Sequence, residues 1–335
     1  MRVAVDEPVT EALLRLSGVG AVVDDAERFV GTITDAAVRR RILTEADPAE
    51  LACGDVLDED PVVVAPGTPD DEVRALLASR HVRVAAIVDG ERYLGQTTVD
   101  APVPPVMAMV LAGGKGERLQ PLTFTVPKPL LQVGRTSPLE RVLEGLNASR
   151  VDDVWIAVNY MAEMIEDRVG DGARFGLRIQ YIHEDEPLGS AGALSLLEDE
   201  PPGPVIVTNS DQITNMSFAR LVDYHLAEQA EVTVASTSFD VDVPYGVFEL
   251  QGTELVGLRE KPTVRLPCNA GYYVVDPGAI GLIPRGEYFT MVDLMETVMR
   301  GGGRVAVFPM VETWIDIGTR EELEQALLWS ATEDV

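Results

Sequence analysis

The sequence predicts an α/β protein whose main part is a mostly parallel sheet, preceded by a smaller α/β unit. Two observations lead to this prediction. From residue 106 onward, short apolar runs alternate with segments of helical spacing, which is the pattern of a parallel sheet flanked by helices. Before residue 100, a shorter pattern of strands and helices occurs twice.

Composition limits the class of protein. The chain has 335 residues, 46% hydrophobic and 24% charged, which suits two domains better than one. Its two cysteines and three scattered histidines argue against a disulfide framework, a thiolate zinc site and a histidine metal cluster. Nothing opens the chain like a signal peptide, and no apolar run approaches the roughly 20 residues that span a bilayer. We therefore expect a cytoplasmic protein with no membrane partner.

The charge of the chain is strongly negative, with a formal net value of −28. Such a charge repels nucleic acid and anionic membranes, so we expect neither as a partner. Lysine occurs only at Lys115, Lys128 and Lys261, and arginine supplies the other 24 of the 27 basic residues. All three lysines fall in segments that other observations associate with chemistry.

The first hundred residues contain a weak internal repeat. The stretches "AVVDDAERFVGTITDAAVRRRI" and "AAIVDGERYLGQTTVDAP" each predict two short strands around an acidic turn. A helical pattern precedes each copy, at residues 9–16 and 69–80. This arrangement resembles a pair of CBS motifs, small units that pair with each other and often bind adenine nucleotides.

The repeat departs from ligand-binding CBS motifs at one position. In those motifs an aspartate that holds a ribose follows the Gly-x-x-Thr turn by three residues. Here the turns at 31–34 and 95–98 are followed by Ala37 and Ala101, and the neighbouring aspartates are out of register. We therefore favour a structural or dimerising role over nucleotide sensing, and we expect a homodimer or a higher homo-oligomer.

A proline-rich stretch separates the two parts. Pro102, Pro104 and Pro105 in "DAPVPPV" predict a stiff linker. The expected division is therefore a degenerate CBS-pair domain at 1–100, a linker at 101–105 and a second domain at 106–335.

The second part begins with "VMAMVLA", a continuous apolar run typical of a strand buried on both faces. Three later runs predict further strands: "DDVWIAVNY", "LRIQYI" and "PVIVTNSD". The segments "MAEMIEDRV", "AGALSLLED" and "FARLVDYHLAEQ" have helical spacing. A mostly parallel sheet of this kind holds its ligands at the carboxyl ends of the strands.

The loop after the first of these strands is the stretch most suggestive of chemistry, "VLAGGKGERLQPLTFTVPKPLL" at 110–131. Glycine lets the backbone approach a ligand closely, and consecutive amides can hold phosphate oxygens. Arg118 adds a planar fork of donors and Lys128 a compact charge, a pair suited to a triphosphate. The prolines around Lys128 keep the segment out of a helix. The loop lacks the Gly-Lys-Ser/Thr of a Walker A motif and the glycine spacing of a dinucleotide fingerprint.

With this loop, the sequence resembles the sugar-1-phosphate nucleotidylyltransferases, whose signature is Gly-Gly-x-Gly-x-Arg-Leu-x-Pro-Leu-Thr followed by Pro-Lys-Pro. The resemblance runs from about Val106 to Trp329 and includes, in order, "PLGSAGAL", "NSD", "YGVFEL", "REKP", "NAGYYVVDP" and "WIDIGT". It implies a Rossmann-like sheet of the glycosyltransferase-A type. A CBS pair ahead of such a domain resembles a subgroup often linked to guanylyl transfer.

The resemblance implies a reaction in which the phosphate of a sugar 1-phosphate attacks the α-phosphorus of a nucleoside triphosphate and pyrophosphate leaves. It assigns catalysis to Arg118 at the leaving phosphates and to Lys128 at the α-phosphate or the attacking group. Asp211 and Asp316 would hold one Mg²⁺. Strand-end aspartates more often cap turns, so this interpretation depends on their pairing with the loop.

The resemblance also implies two sets of binding residues. Those for the nucleotide are Leu111, Ala112, Gly113, Gly114, Lys115, Gly116, Glu184, Gly189 and Ser190. Those for the sugar phosphate are Gly246, Glu260, Lys261 and Asn269. The pair Glu260–Lys261 would ordinarily read as a solvated surface feature, so its assignment depends on the motif.

The base is predicted from Glu184, which stands where thymidylyl and uridylyl enzymes of this type place a glutamine. A carboxylate accepts hydrogen bonds, and the guanine edge presents two adjacent donors, so we predict GTP over UTP or dTTP. An equally weighted interpretation makes Glu184 a residue of the charged turn "HEDE".

Three hypotheses follow from the sequence. The first is an active sugar-1-phosphate guanylyltransferase. The second is the same chemistry with UTP, dTTP or CTP, or with a non-sugar phosphate or phosphonate acceptor. The third is a CBS-linked nucleotide-sensing regulatory protein without catalysis, which predicts loss of Arg118, Lys128 or an aspartate; all of these residues are present.

Overall fold

A computed structural model of the chain describes residues 1–16, 18–44, 50–80, 82–99 and 105–333. The predicted linker at 101–105 lies outside the described residues except for Pro105, and Ala101 lies outside them as well. Among the described residues, no helix is both long and apolar enough to cross a membrane.

The N-terminal unit is built from short elements. In chain order these are β1 (Arg2–Ala4), α1 (Val9–Arg15), β2 (Val19–Val23), β3 (Phe29–Thr34), α2 (Asp35–Thr44), β4 (Val63–Val64), α3 (Asp70–Arg80), β5 (Ala85–Asp89) and β6 (Arg92–Thr97). The helices α1 and α3 match the predicted helical patterns within a residue or two.

The internal repeat is confirmed by the topology. In the first copy, β1 pairs parallel to β2, and β2 pairs antiparallel to β3. In the second copy, β4 pairs parallel to β5, and β5 pairs antiparallel to β6. Each copy therefore forms a three-stranded sheet in the order of the chain, with one helix between its first two strands.

The second part contains the larger elements. Its strands are β7 (Met107–Leu111), β8 (Asp153–Val158), β9 (Arg178–His183), β10 (Val205–Asn209), β11 (Gln212–Thr214), β12 (Val232–Asp242), β13 (Val247–Gln251), β14 (Glu254–Arg259), β15 (Thr263–Val275), β16 (Val305–Pro309) and β17 (Trp314–Asp316). Its helices are α4 (Pro138–Ala148), α5 (Ala162–Val169), α6 (Gly189–Gly192), α7 (Phe218–Glu228), α8 (Pro277–Ile280), α9 (Met291–Arg300) and α10 (Arg320–Glu333).

The central sheet has seven strands in the order β16-β12-β15-β10-β7-β8-β9. Only β15 runs antiparallel to its neighbours β10 and β12; the other pairs are parallel. The prediction of a mostly parallel α/β sheet is therefore confirmed. Because β7, β8, β9 and β10 run in one direction, the segments that follow them gather at one edge of the sheet.

Two apolar cores cover the two faces of this sheet. In β7, Ala108 and Val110 face one core, in which helices α4, α5 and α7 also take part. Met109, between them in the chain, faces the other core, in which α6 and α9 take part. Alternate residues of one strand thus enter different cores, which explains why "VMAMVLA" is apolar throughout.

The starts of two helices are set by local sequence. The Ser137 side chain accepts the backbone N–H of Glu140, and the Glu140 carboxylate accepts the N–H of Ser137, with Pro138 at the first helical position of α4. Thr290 and Asp293 form the same reciprocal pair at the start of α9. Each pair satisfies two amide donors that would otherwise lack partners.

The structure differs from the sequence prediction at "AGALSLLED". Instead of one helix there is the four-residue α6, followed by a 3₁₀ turn at Ala193–Leu196. The backbone N–H groups of Ala191 and Gly192 both donate to the carbonyl of Phe289. The start of this segment is therefore bonded to Phe289, which is distant in sequence. The helical spacing of the apolar residues gives no sign of this contact.

Candidate active site

The glycine-rich loop leaves the carboxyl end of β7 and lines a cavity of about 670 Å³. The cavity is lined by Leu111, Gly113, Gly114, Lys115, Gly116, Glu117, Arg118, Lys128, Pro129, Asn159, Glu184, Pro187, Leu188, Gly189, Ser190, Asn209, Ser210, Asp211 and Gly318. The list contains eight of the nine predicted nucleotide residues; the ninth, Ala112, is buried beneath the loop. The tertiary structure therefore brings segments from the ends of four other strands, β8, β9, β10 and β17, to the glycine loop.

Gly116 is required by the path of this loop. Its φ is +61°, in the left-handed region. A Cβ at this position would lie 2.9 Å from Cγ2 of Thr123 and 3.1 Å from Cβ of Lys128. The loop thus folds back onto the segment that carries Lys128, and only glycine leaves room for this approach.

Lys128 lies beside both predicted metal-binding aspartates. It occupies the first position of a 3₁₀ turn at Lys128–Leu130, flanked by prolines, and it is only 8% exposed. Its ammonium forms an ion pair with Asp211 and lies 3.7 Å from Oδ1 of Asp316. The three side chains therefore form one cluster at the edge of the cavity, which we call the Lys128 cluster.

The two aspartates are joined by a short antiparallel ladder. In this ladder Gln212 of β11 pairs with Asp316 of β17, and the N–H of Ile317 donates to the carbonyl of Asp211 at 3.2 Å. Burial raises the pKa of Asp316; Lys128 lowers it, and the nearby charge of Asp211 raises it again. The pKa of Asp316 therefore lies above its ordinary value, chiefly because burial disfavours the charged carboxylate.

The donor set of the Lys128 cluster fits a hard divalent cation. Two carboxylates, those of Asp211 and Asp316, converge there on the Lys128 ammonium, and carboxylate oxygens are ligands that Mg²⁺ prefers. Among the described residues there is no group of three His, Cys, Asp or Glu side chains arranged to hold a metal. Mg²⁺ commonly takes one or two carboxylates and completes its shell with substrate phosphates and water, so two aspartates suffice.

Arg118 lies on the other side of this cluster. It belongs to a 3₁₀ turn at Glu117–Leu119, and it is exposed to solvent. The backbone of Gly318, just after Asp316, lies against its guanidinium, because a Cβ at Gly318 would be 2.8 Å from an Arg118 Nη atom. Arg118 and Lys128, the two residues predicted to be catalytic cations, therefore both lie near the segment that carries Asp316.

Glu184 enters the cavity opposite the glycine loop. One of its oxygens accepts the N–H of Leu188 at 3.1 Å, and a Cβ at Gly113 would lie 3.0 Å from the other. Burial raises the pKa of this carboxyl, and the Leu188 N–H opposes the rise. The side chain thus belongs to the cavity wall as well as to the charged turn.

Gly189 and Ser190 also reach the cavity, at the start of α6. Gly189 has φ of +79°, and a Cβ there would lie 2.7 Å from the carbonyl oxygen of Phe289. The hydroxyl of Ser190 accepts the backbone N–H of Met291 at 2.8 Å. Ser190 therefore also fixes the start of α9, a contact that sequence reasoning did not foresee.

The predicted sugar-phosphate residues lie outside the cavity. All four are exposed and belong to the extended region that includes the β13–β14 hairpin. Gly246 and Glu260 meet, since a Cβ at Gly246 would lie 3.0 Å from Oε2 of Glu260. Asn269 instead bonds the hydroxyl of Tyr273 at 2.8 Å. The structure therefore joins two of these residues and does not bring Lys261 to the Lys128 cluster.

Sequence reasoning missed other residues of the site. Asn159 follows β8, and its side chain donates to the carbonyl of Glu184 at 2.5 Å. Its position at the carboxyl end of a predicted strand was the available signal. Tyr272 is fully buried, and its hydroxyl has no hydrogen-bond partner within the described part of the chain. Burial and then the charges of Asp211 and Asp316 raise its pKa, which places this hydroxyl near the two aspartates.

A second cavity, of about 600 Å³, lies between the N-terminal unit and α7. Thr34 and Ala37 line it, so the residue that replaces the expected ribose-binding aspartate faces this space. A different carboxylate, that of Asp58, also lines it and accepts the hydroxyls of Thr32 and Thr34 at 2.7 and 2.9 Å. Asp58, one of several acids that line this cavity, therefore comes from the segment after the first repeat and is already bonded to two hydroxyls.

Comparison with known proteins agrees with this geometry. A model of the nucleotidyl transferase family matches residues 107–332, and a CBS domain model matches residues 1–44. A mannose-1-phosphate guanyltransferase of Yarrowia lipolytica is 36% identical over 220 residues, covering 63% of this chain and 60% of the relative. The catalytic subunit beta of a mannose-1-phosphate guanylyltransferase from Xenopus tropicalis is 33% identical over 219 residues, covering 63% and 61%. The chain thus spans about 60% of the length of these relatives.

Solved structures show the same fold. One, of a Bacillus anthracis protein in complex with sucrose, is 25% identical with a TM-score of 0.55 and covers 67% of this chain and 95% of that one. Another, HddC from Yersinia pseudotuberculosis, is 23% identical with a TM-score of 0.51 and covers 67% and 98%. The family model covers about two thirds of the chain, and its range contains the glycine loop and the Lys128 cluster. The chain therefore belongs to the nucleotidyl transferase family, with a CBS domain at its N terminus.

Proposed function

We propose that this chain transfers GMP from GTP to a sugar 1-phosphate, releasing pyrophosphate, with Mg²⁺ as the cofactor. The observation that carries the proposal is the Lys128 cluster, in which one buried lysine lies beside Asp211 and Asp316 at the edge of the glycine-lined cavity. A lysine and two acids in this position provide charge for a phosphate and ligands for a cation. The similarity to mannose-1-phosphate guanyltransferases supports the same reaction.

In the proposed reaction, an oxygen of the sugar phosphate attacks the α-phosphorus of GTP. A new P–O bond forms while the bond from the α-phosphorus to the bridging oxygen breaks, and the electron pair leaves with pyrophosphate. The attacking phosphate is already ionised at neutral pH, so the site needs no general base. Its work is to position the two phosphates and to neutralise their charge.

Each residue of the site is assigned a role from its position in the cavity. The amides from Gly113 to Gly116 face the cavity and would hold the triphosphate, with Arg118 on the departing pyrophosphate. Lys128 would neutralise the α-phosphate or the attacking phosphate. Mg²⁺ held by Asp211 and Asp316 would supply charge compensation to the same phosphates.

Glu184 would select the base. Its carboxylate lies in the cavity wall, and two adjacent guanine donors suit an acceptor with two oxygens. Uracil and thymine offer one donor between two acceptors, which an amide matches better. We therefore favour GTP over UTP or dTTP.

We propose mannose 1-phosphate as the first acceptor to test, because the relatives carry that name. Gly246, Glu260, Lys261 and Asn269 are proposed to bind the sugar phosphate, on the strength of their motifs. Contact between Gly246 and Glu260 supports this grouping.

The experiment is a pyrophosphate-release assay with Mg²⁺, five nucleoside triphosphates and a panel of sugar 1-phosphates. We expect release that requires both GTP and one sugar phosphate, and loss of release in Asp211→Asn and Asp316→Asn. Asp153→Asn is the matched control, because Asp153 begins β8 at the opposite end of the sheet and pairs with Arg178 on the surface. Strong preference for UTP would refute the base assignment, and activity in the two aspartate variants would refute the metal assignment.

A further inference from the structure

The N-terminal unit reaches into the second part of the chain through one buried arginine. Arg39 of α2 is 0% exposed. Its guanidinium donates to the Glu312 carboxylate at 2.7 Å, to the carbonyl of Pro309 at 2.5 Å and to Asp35 at 2.7 Å. It also lies 3.8 Å from the ring centroid of Phe308. The contacts to Phe308, Pro309 and Glu312 all belong to the segment 308–312. The contact to Asp35 stays within α2.

The apolar contacts between the two parts lie around this arginine. Val311 packs against the apolar core of the first repeat, together with Val5 and Leu57. In the opposite direction, Ala36 of α2 packs against the core of the central sheet. Each part thus packs an apolar side chain against the core of the other, from positions close in sequence to Arg39 and Glu312.

The segment held in this way leads directly to Asp316. It begins at the end of β16, where the N–H of Met310 donates to the carbonyl of Ser236, and it continues through Thr313, whose N–H donates to Asn215. It then enters β17, in which Trp314 donates from its indole N–H to the carbonyl of Ala270. Glu312 is four residues before Asp316, so the ionic contact lies at the start of the stretch that presents this aspartate to Lys128.

We propose that Arg39 is a positioning residue for Asp316, an inference that rests on the proposed role of Asp316 in cation binding. Through its bonds to Glu312 and Pro309, the N-terminal unit sets the place of the segment that carries this carboxylate. The N-terminal unit would then help to position the proposed cation site, in addition to any role in oligomerisation. Both side chains of the Arg39–Glu312 pair are buried. Replacing Arg39 takes away the cation nearest to Glu312 and leaves Arg220 of α7, at 3.9 Å, in partial compensation, so the segment should be held less firmly.

The chain offers a control at the same boundary, an ion pair whose side chains are more exposed than those of Arg39 and Glu312. Arg83, in the second repeat, pairs with Asp223 of α7 at 2.7 Å. This pair also joins the N-terminal unit to the second part, but its partner lies on a helix and outside the segment 308–316. Arg83→Met therefore removes an ionic contact between the two parts and leaves the approach to Asp316 in place.

The experiment compares Arg39→Met, Glu312→Gln, the double variant and Arg83→Met in the full chain. Two quantities are measured: binding of Mn²⁺ alone, by the loss of its free EPR signal, and backbone hydrogen exchange at 313–317. We expect Arg39→Met and Glu312→Gln each to weaken Mn²⁺ binding and to speed exchange at 313–317 by about tenfold. The loss in the double variant should be smaller than the product of the two single losses, because both single variants remove the Arg39–Glu312 contact. Arg83→Met should leave both quantities unchanged.

The outcomes separate this inference from the proposed function. Equal effects of Arg39→Met and Arg83→Met, or wild-type exchange at 313–317 in both Arg39→Met and Glu312→Gln, would overturn the inference. If Arg39→Met does not fold, Glu312→Gln and its exchange rates decide the question. If the wild type binds no Mn²⁺ and releases no pyrophosphate, the proposed function fails, and the exchange data still show whether Arg39 holds the segment.

Discussion

The ammonium of Lys128 forms an ion pair with the carboxylate of Asp211. Both side chains line the glycine-rich cavity, and Asp316 lies on the far side of the same ammonium. In this arrangement the lysine compensates two acids that would otherwise repel each other. Phosphates and a cation entering the site would redistribute these charges, with the lysine turning to phosphate and the acids to the cation.

Replacing Lys128 by methionine should lower kcat/KM for pyrophosphate release by about 10²- to 10³-fold, the usual cost of one preorganised group that stabilises transition-state charge. The apolar stem is kept, but Asp211 and Asp316 lose their shared cation, so stability should fall as well and is measured alongside by urea unfolding. Lys115→Met is the control, since Lys115 lies on the same loop but is exposed; we expect a loss below about tenfold. Equal losses in the two variants, measured in the same assay, would contradict the special role of Lys128.

Gly116→Ala should both destabilise the protein and reduce turnover. Alanine at φ of +61° is strained, and its Cβ would press on Thr123 and Lys128, so we expect a loss of about 1–3 kcal/mol in the free energy of unfolding. Urea unfolding and the pyrophosphate assay measure the two effects. Gly90→Ala is matched in φ, also at +61°, with nothing within 4 Å of a Cβ. It should cost stability alone, and an equal loss of turnover there would count against displacement of Lys128.

Glu184→Gln should change the choice of nucleotide. An amide presents one donor and one acceptor, so we expect the ratio of kcat/KM for GTP to that for UTP to fall by about 10- to 100-fold. Asp185→Asn is the control, because Asp185 is the next residue of the same turn and is exposed to solvent. If the ratio stays at its wild-type value in Glu184→Gln, the alternative interpretation of Glu184 as a residue of a charged turn is correct.

His225 should make the fold sensitive to acid. It is buried, with Nδ1 2.9 Å from the hydroxyl of Thr233, and burial lowers its pKa to about 4, against the weaker pull of Asp276 and Glu231. Between the ordinary pKa of about 6.5 and this value, the unfolded chain binds a proton that the folded chain does not, so stability falls as the pH falls.

The size of this effect can be measured by urea unfolding at pH 7.5 and pH 5. We expect the wild type to lose about 2 kcal/mol more than His225→Gln over this interval. His183→Gln, at an exposed histidine, should behave like the wild type. Equal losses in the wild type and His225→Gln would show that His225 does not contribute to acid sensitivity.

Much of the fold follows from local pattern. The apolar runs predicted β7, β8 and β10, because a strand buried on both faces is apolar nearly throughout. The edge strand β9 also follows from its sequence, although it carries polar residues at exposed positions. The repeat in the first hundred residues predicted two copies of one topology. The short α6 was not predictable, because its donors go to Phe289, a residue almost a hundred positions away.

The site was predictable in part. The glycines and Lys128 lie in one continuous loop, so their spacing alone indicates a phosphate site. Asp211 and Asp316 could be paired only through the resemblance, since their contact depends on the β11–β17 ladder. The hydroxyl of Ser190 accepts the N–H of Met291, and no pattern in the sequence indicates this contact.

The sequence by itself determined the α/β class, the repeated N-terminal unit and the glycine-rich loop, because periodicity, turns and close backbone approach are properties of neighbouring residues. Only the tertiary structure decided that Asp316 meets Lys128 and that Arg39 bonds Glu312, which lies 273 positions further along the chain. Contacts of this kind depend on how the sheets and loops pack in three dimensions. A buried charge requires a compensating partner, but that requirement does not say where in the sequence the partner lies.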